Sequence, residues 1–590
     1  MFLYQGKILY VDLDHGEVKP VPTREEWLDT YVGGMGLAFR YLLETLDFHA
    51  DPLSPDNVLV FMTGPLAGTL APLTSRLVLV SKSPKTETVF ESNMGGAMAA
   101  EIKYAGFDGL IIKGKADSPV YLRIRDGEAT IEDATDLWGK GIFETEKFLK
   151  EKEGDLEAKV MSIGPAGENQ APFACIGSEC YRQFGRAGSG AIMGSKNLKA
   201  IVVRGKGSVK VADMQGFLDY VRRVSNENLM TDANLWAKTD GTPILVTYTN
   251  DLGILPVQNF QFGSWDDWYE IGTEAVKSIK ARSRACVSCP LGCGNFVRFD
   301  EVRVEGPEYE TLALAGANCG ISDVRAIARF NELCDDLGLD TMSMGDILAF
   351  AMEMTERGRH DFGIRFGDVE NYLSIPKEVA GKSSSRGREL ALGVQILGKQ
   401  FGGENMAVAV KNLELPAYDP RGNYGMGLAY ATSERGACHL RAFTVFKENP
   451  FDIETMVSWV IRGQDFNSVK WSFGFCDFWA SITPEILAEF LKFGMGKIVS
   501  VDEITKTGER IWNLIRLLNL KVGFDRSDDY LPSRLTEQPL RRGPSDGRII
   551  SKEDFETMLS LYYERRGWDD SGIPKPETLL KLGLSSLYGD

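Results

Sequence analysis

The segment Cys286-Val287-Ser288-Cys289-Pro290-Leu291-Gly292-Cys293 crowds three thiols into eight residues of a 590-residue chain that has only nine cysteines. A C-x2-C-x3-C run broken by proline and glycine can curl its backbone until three thiolates face one centre, and soft thiolate ligands select zinc or an iron–sulfur cluster. Such a loop constrains the whole fold, because a further ligand has to be carried to it. A structural zinc site would want a second C-x2-C or a histidine pair nearby. The histidines are His15, His49, His360 and His439, none of them close in sequence. The residues therefore favour iron–sulfur over zinc. A [4Fe–4S] cluster takes four thiolates, and spacing leaves the fourth open among Cys175, Cys180, Cys319, Cys334, Cys438 and Cys476.

A chain of this length buries a sizeable core and divides into roughly two to four domains. Clustered thiols, odd in number, suit a reducing compartment better than a disulfide framework. The formal net charge of -17 argues against a general nucleic-acid binder. The start, MFLYQGKILYVDLDHG, has no basic region followed by an unbroken apolar run, and no segment reaches the ~18 apolar residues of a membrane span. A cytoplasmic protein without a transmembrane segment is expected.

The first 210 or so residues alternate short strand patterns with turn signals: GKILYVDL, EVKPVP, NVLVFMTG, SRLVLVSKS, DGLIIKGKA, VYLRIRDGEATIED and KAIVVRGKGSVKV. From about Asp213 helical period takes over, as in Asp323 to Leu337, with Ser322 expected as N-cap and Gly338 as the stop. The expectation is an α+β protein, with a β-rich mixed domain over 1–210 and mostly helical domains over 211–410 and 411–590. The second boundary falls where KNLELPAYDPRGNYG breaks the periodicity.

Two further patterns break local rules. Asp335 and Asp336 sit in the last turn of the 323–337 helix, where the negative end of the macrodipole disfavours them. Either that end is solvated, or a carboxylate pairs with donors of a bound ligand. Ser92-Asn93-Met94-Gly95-Gly96 and Arg182-Gln183-Phe184-Gly185-Arg186-Ala187-Gly188-Ser189-Gly190 each lead into a helical segment. Glycines there expose N–H groups to an anion, and Arg76, Arg182 and Arg186 could add charge-assisted contacts. Neither segment is a dinucleotide fingerprint or a P-loop, and no strand plainly precedes Gly188. Together they favour a phosphate-bearing ligand.

With TGPLAGT, AGFDGLIIKGKA, SIGPAGEN, GRAGSGAIMGSKNLKAI, CVSCPLGCG, EGPEYE, CDDLGLD, LELPAYDPRG, RGACH and GERIWN in order along nearly its whole length, the chain resembles the aldehyde ferredoxin oxidoreductase family. These are tungsten enzymes with a bis-pterin cofactor beside a [4Fe–4S] cluster. The resemblance implies Cys476, in Gly474-Phe475-Cys476, as the fourth ligand beside Cys286, Cys289 and Cys293. It implies that Asp335, Gly338, Leu339 and Asp340 hold one pterin, and that Phe475 belongs to the motif for the other. Backbone carbonyls of Asn93 and Gln183 would bind a Mg2+ bridging the cofactor phosphates. Gly95, Gly96 and Arg182 would line that cradle, and Arg76 would lie between cluster and nearer pterin. Glu310 and His439 match the family's catalytic pair. Tungsten, with molybdenum less favoured, would be held by dithiolene sulfurs. The implied reaction oxidises an aldehyde to a carboxylic acid and passes electrons through the cluster to ferredoxin or a bound iron–sulfur subunit.

The sequence departs from the family pattern at Trp471, where the second pterin motif has aspartate. Arg329 and Glu332 stand where some members carry a Glu-x-x-His that shares an iron across a homodimer, so the homodimer rests on little else. The segment from His439 to Cys476, rich in aromatics, suggests an apolar or aromatic aldehyde. Two other readings remain: a reductive relative such as the benzoyl-coenzyme A reductase catalytic subunits, and an electron-transfer subunit without a working pterin site.

Overall fold

In the computed structural model, which describes residues 1–477 and 481–587, the strand patterns of the first 210 residues become two six-stranded sheets. The first contains β1 (Lys7–Asp12), β2 (Glu17–Pro22), β3 (Leu59–Thr63), β4 (Leu77–Lys82), β5 (Val89–Met94) and β6 (Gly109–Lys113), in the order β2-β1-β6-β3-β4-β5. The second contains β7 (Val120–Arg125), β8 (Glu128–Asp133), β9 (Lys159–Ser162), β10 (Ile176–Ser178), β11 (Arg182–Phe184) and β12 (Leu198–Arg204), in the order β11-β10-β9-β12-β7-β8. The second sheet repeats the first strand for strand. In each, the first strand pairs in parallel with the last, β1 with β6 and β7 with β12, while all other neighbours are antiparallel. Asn93 on β5 and Gln183 on β11 thus occupy the same strand of the two repeats, and those strands lie side by side.

The inner strands β3, β4 and β6 of the first sheet are buried on both faces, which explains their nearly unbroken apolar runs, while the edge strand β2 is exposed. Leu9, Val11, Leu59, Phe61, Leu77, Leu79, Leu110 and Ile112 share a core with Leu122, Ile124, Met161, Ile176, Phe184 and Ile201 of the second sheet. Phe61 and Phe184 meet edge to face, with ring centroids 5.6 Å apart. The alternate residues Ile8, Val60, Met62, Val78 and Val80 point the other way, into the main core. There the helix Gly34–Thr45 packs between β3, β4 and the long helices Ile453–Ser472 and Val501–Lys521. The C-terminal helices therefore pack on the N-terminal sheet through this helix, and Asn519 of Val501–Lys521 also reaches β5 by accepting from Val89 N–H at 3.0 Å.

The remainder is mostly helical, with one addition that the periodicity did not reveal. β13 (Lys280–Arg284), β14 (Gly294–Phe299) and β15 (Val302–Glu305) form a three-stranded antiparallel sheet. The thiol loop is the connection from β13 to β14, so a sheet, not a helix, fixes both its ends. The expected N-cap Ser322 is displaced by one residue. Asp323 caps the helix Val324–Leu337 by accepting from the Arg325 and Ala326 N–H groups at 2.9 and 3.3 Å, a reach that its carboxylate has from this position. Gly338 ends the helix in the left-handed region at φ 77°, as expected.

Candidate active site

The thiol loop is pinned to the connection between β3 and β4. Leu73 N–H donates to the Ser288 carbonyl at 3.3 Å, Ser288 Oγ donates to the Thr69 carbonyl at 3.0 Å, and Val287 N–H donates to the Gly96 carbonyl at 3.3 Å. The same connection holds the far-off fourth thiol. Cys476 N–H donates to the Leu73 carbonyl at 2.9 Å, and Arg76 N–H donates to the Gly474 carbonyl at 3.1 Å. Glycine is required where these segments cross: a Cβ on Gly64 would lie 2.2 Å from the Phe473 carbonyl, and one on Gly95 would lie 3.1 Å from Cys286 Sγ. Of the six cysteines left open by spacing, Cys476 is the one brought to the loop. Cys175, Cys319, Cys334 and Cys438 are buried elsewhere, and Cys180 N–H donates to Glu146.

All nine thiols are free. Burial pushes the Cys289 thiol up to about 11 and that of Cys293 well above its ordinary value, and each is raised further by Cys286 and Cys476. The Cys289 and Cys293 thiols, raised in this way, are favoured as thiolates by a cationic metal beside them. No three of the described Cys, His, Asp or Glu side chains close to the spacing of a single-ion site. Arg76 supplies a hydrogen-bonded cation, donating from Nη2 to Cys476 Sγ at 3.3 Å and lying 3.2 Å from Asp477 Oδ2. Its Nε, buried, has no acceptor among the described residues.

Asp335 and Asp336 both find donors, and neither is left to a solvated helix end. Buried Asp335 accepts from Gln183 Nε2 and, at 2.8 Å, from Asn331 Nδ2, while burial pushes its carboxyl well above the usual range. Asp336 accepts from Phe143 N–H at 2.9 Å, so it caps the positive end of the neighbouring helix Ile142–Glu153. The turn that follows is stitched to the second sheet's half: Cys175 N–H donates to the Gly338 carbonyl at 2.9 Å, Leu339 bridges Ala174, and Asp340 N–H donates to Phe173 at 3.2 Å. Asp340 then caps the helix Thr341–Glu356 and accepts from Ser343 Oγ at 2.8 Å and Arg186 Nε at 3.2 Å. Arg186 continues to the carbonyls of Ala437 and Glu414, tying this turn to the RGACH segment.

Around the two equivalent strands, Asn93 Nδ2 donates to Glu91 at 2.9 Å, and Arg182 pairs with Glu305 at 3.1 Å. A Cβ on Gly96, whose φ is 97°, would meet Glu179 at 2.6 Å and Arg182 at 3.1 Å. A short strand, β11, does precede the second glycine loop, and its three residues were too few to register as a pattern. Phe475 is fully buried and faces Phe490, with centroids 6.0 Å apart.

Glu310 lies on the one-turn helix Tyr309–Thr311, which widens into a π-helical turn at Leu312–Gly316. Its Oε2 accepts from Ala417 N–H at 2.8 Å, while the Tyr309 hydroxyl donates to the Ala417 carbonyl, so this dipeptide clamps one residue from both sides. Glu310 Oε1 stands 3.4 Å from His439 Nδ1, and neither atom has a hydrogen-bond partner among the described residues. Burial pushes the Glu310 carboxyl up to about 8. Burial, with Arg186, Arg435 and Arg441 close by, pushes His439 down to about 3. His439 closes the inner end of a cavity of about 540 Å3 walled by Tyr418, Phe443, Phe446, Trp459 and Phe466.

Sequence reasoning missed the buried charges behind His439. Arg441 Nη1 lies 2.8 Å from Glu91 Oε2, its Nε donates to Glu434 at 2.8 Å, and its guanidinium covers the Trp471 ring at 4.8 Å. Arg435 Nη2 donates to Cys438 Sγ at 3.2 Å and leaves Nε without an acceptor among the described residues. Trp471 is wholly buried, and its indole N–H likewise lacks an acceptor there. Two arginines flanking the RGACH histidine, Arg435 and Arg441, were the available signal. At the positions in doubt for a dimer iron, Arg329 Nη2 donates to Asp300 at 2.7 Å on the surface.

Known proteins bear on this site directly. The model of the aldehyde ferredoxin oxidoreductase N-terminal domain matches residues 8–205, and that of the family's domains 2 & 3 matches residues 219–584. The tungsten-containing aldehyde ferredoxin oxidoreductase of Pyrococcus abyssi is 41% identical over 608 residues, covering 99% of each chain. The aliphatic sulfonate oxidoreductase, WOR-like subunit, of Pyrococcus furiosus is 31% identical, covering 99% of this chain and 97% of that one. Among solved structures, the active-site complex BamBC of benzoyl coenzyme A reductase with 1,5-dienoyl-CoA aligns with a TM-score of 0.87 at 25% identity, over 100% of this chain and 98% of that one. These likenesses, over the whole chain and its doubled sheet, define an oxidoreductase. The chain belongs to the aldehyde ferredoxin oxidoreductase family, and that membership implies a tungstopterin cofactor. No described helix is long and apolar enough to cross a membrane.

Proposed function

We propose that this protein is a cytoplasmic enzyme that oxidises aldehydes with water to carboxylic acids, releasing two protons and two electrons. Its cofactors would be a tungsten bis-pterin in preference to molybdenum, a [4Fe–4S] cluster on Cys286, Cys289, Cys293 and Cys476, and Mg2+ on the backbone carbonyls of Asn93 and Gln183. The observation that carries the reading is the Glu310–His439 pair, 3.4 Å apart and without other partners among the described residues at the facing atoms, whose His439 lines an aromatic cavity.

The residues present fit these groups. Arg76 and Arg435 keep buried donors without acceptors, suited to an anionic or heterocyclic ligand, and four soft thiols suit iron–sulfur coordination. Asp335, Gly338, Leu339 and Asp340 would hold one pterin and Phe475 would flank the other, with Gly95, Gly96 and Arg182 in the phosphate cradle. When bound, the metal supplies a Lewis acid and a two-electron acceptor, and the cluster relays electrons singly. Neutral His439 donates a hydrogen bond to the substrate's carbonyl oxygen as charge develops there. Ionised Glu310 orients water and accepts its proton at Oε1, while the Ala417 N–H keeps the carboxylate turned toward His439. Electrons leave to ferredoxin or a bound iron–sulfur subunit, and the chain works alone or as a homodimer.

Likeness to the benzoyl coenzyme A reductase complex favours one competing reading, reduction of an aromatic ring on a coenzyme A thioester. Elemental analysis of anaerobically purified protein, followed by aldehyde-dependent viologen reduction, tests the proposal. About one tungsten and four irons per chain with aldehyde-driven dye reduction would support it. The same metals with turnover only on a dienoyl-coenzyme A would transfer the site to ring chemistry, and zinc on the thiols would sink both readings. Iron without tungsten or molybdenum, from a host able to make the cofactor, would leave an electron-transfer subunit.

A further inference from the structure

The cavity that ends at His439 changes character along its length. Its walls are the rings of Tyr418, Phe443, Phe446, Trp459 and Phe466, and its volume of about 540 Å3 suits a ligand of a ring or two. Two charged side chains line its inner part, and both are engaged: Lys470 Nζ donates to the Asp477 carbonyl at 3.1 Å, and the Asp477 carboxylate lies 3.2 Å from Arg76. The outer part is marked by Phe446, 54% exposed, and carries Lys447 and Arg462. Lys447 Nζ sits 3.9 Å from the centre of the Trp459 ring, and the Arg462 guanidinium lies 5.9 Å from the same ring. Neither cation has a carboxylate partner among the described residues.

That is unexpected for a protein with 83 acidic and 66 basic side chains, in which arginines and lysines elsewhere pair readily. Two cations that both approach the Trp459 ring and line the same apolar cavity offer an anion two charge-assisted donors, the ammonium close to the ring and the guanidinium farther from it. An apolar wall cannot reward a charged tail, and a charged mouth cannot reward a purely apolar one. The cavity rewards a molecule that is both.

We infer that the substrates selected here are apolar, ring-bearing aldehydes with a carboxylate-type anion at the end remote from the carbonyl, read by Lys447 and Arg462. This rests on the aldehyde reading above and narrows it.

The test uses tungsten- and iron-loaded enzyme at low salt, comparing 4-formylbenzoate with 4-methylbenzaldehyde, which replaces the remote carboxylate by a methyl group. The expected kcat/KM ratio is about tenfold in favour of the anion, the scale of one charge-assisted contact at a half-exposed site. It should fall toward unity in Lys447→Met with Arg462→Gln, and Arg462→Lys should recover part of it. A wild-type ratio at or below unity, or one the double variant leaves intact, overturns the inference. A second readout needs no turnover: tryptophan fluorescence titrations with terephthalate and 4-methylbenzoate. The dicarboxylate should bind about tenfold tighter to wild type and equally to the double variant. If loaded enzyme oxidises neither aldehyde but still prefers terephthalate, the aldehyde reading falls and the anion receptor stands. Equal binding of the two acids removes the receptor while leaving the aldehyde reading untouched.

Discussion

Glu310 makes the pH dependence of the proposed reaction a quantitative test. Burial raises its carboxyl from 4.5 to about 8, against the downward pull of the Ala417 N–H and Arg186. Near pH 7 about a tenth of the molecules carry the ionised base, and half do at pH 8, so kcat/KM should rise about fivefold between them and level off above pH 9. His439 adds no limb in this range, since it is held down at about 3 and stays neutral throughout. The assay is aldehyde-dependent viologen reduction under argon, with a neutral aldehyde whose own ionisation cannot intrude. Glu310→Gln should lower kcat/KM about 10²- to 10⁴-fold and erase the limb. The same shift has a thermodynamic signature in the metal-free protein. Because the folded pKa is raised, the folded chain keeps a proton that the unfolded chain has lost. The associated stability is full below pH 4.5 and is lost as pH climbs to about 8. Metal-free Glu310→Gln should therefore match wild type near pH 5 and exceed it by a few kcal/mol at pH 9. A wild-type rate profile flat from pH 6 to 9, or a limb that persists in Glu310→Gln, would refute the assignment of base and pKa alike.

Other changes probe the frame around that pair. Cys476→Ser should strip most of the iron and the broad visible absorbance while tungsten-free secondary structure persists, read by metal analysis and circular dichroism. Gly64→Ala would press a methyl group against the Phe473 carbonyl, 2.2 Å away, and should also cost iron by displacing the Gly474–Cys476 turn, although residue 64 touches no metal. Removing the Arg76 guanidinium, which donates to Cys476 Sγ at 3.3 Å, should drive the cluster's midpoint potential more negative in an anaerobic titration, because a cation favours the reduced form. Trp471→Ala leaves a large cavity under Arg441 and should cost about 3–5 kcal/mol in chemical denaturation, whereas Asp323→Ala, which loses only a helix cap, should cost about 1 kcal/mol.

The elements that could be read from the chain are those whose signal is local. The strands Leu59–Thr63 and Leu77–Lys82 advertise themselves because burial on both faces gives each a run of four apolar residues. Gly338 ends its helix because glycine takes the left-handed φ of 77° without a Cβ penalty. The doubling of the sheet is mainly a repeat of pairing order, and its one trace in the chain is the likeness of Leu110-Ile111-Ile112-Lys113-Gly114-Lys115 at β6 to Ile201-Val202-Val203-Arg204-Gly205-Lys206 at the equivalent β12, too short to announce a repeat. β11 was missed for its three residues and β13 because the charged, half-exposed Lys280–Arg284 carries no alternation, whereas Val297-Arg298-Phe299 and Val302-Arg303-Val304 of β14 and β15 do alternate, over runs of only three residues. The site itself divides along the same line. Three cysteines in eight residues announce a metal, but Cys476 reaches them through a backbone contact with Leu73, hundreds of positions away, and only the family resemblance pointed to it. Asp335 and Asp336 were flagged by a broken helix rule, and the structure shows why flagging differs from assigning. One is held by Gln183 and Asn331 beside the cradle strands, and the other merely caps a helix. A carboxylate in the wrong place records that a donor waits for it, and only the tertiary fold says whether that donor belongs to the chain or to a ligand.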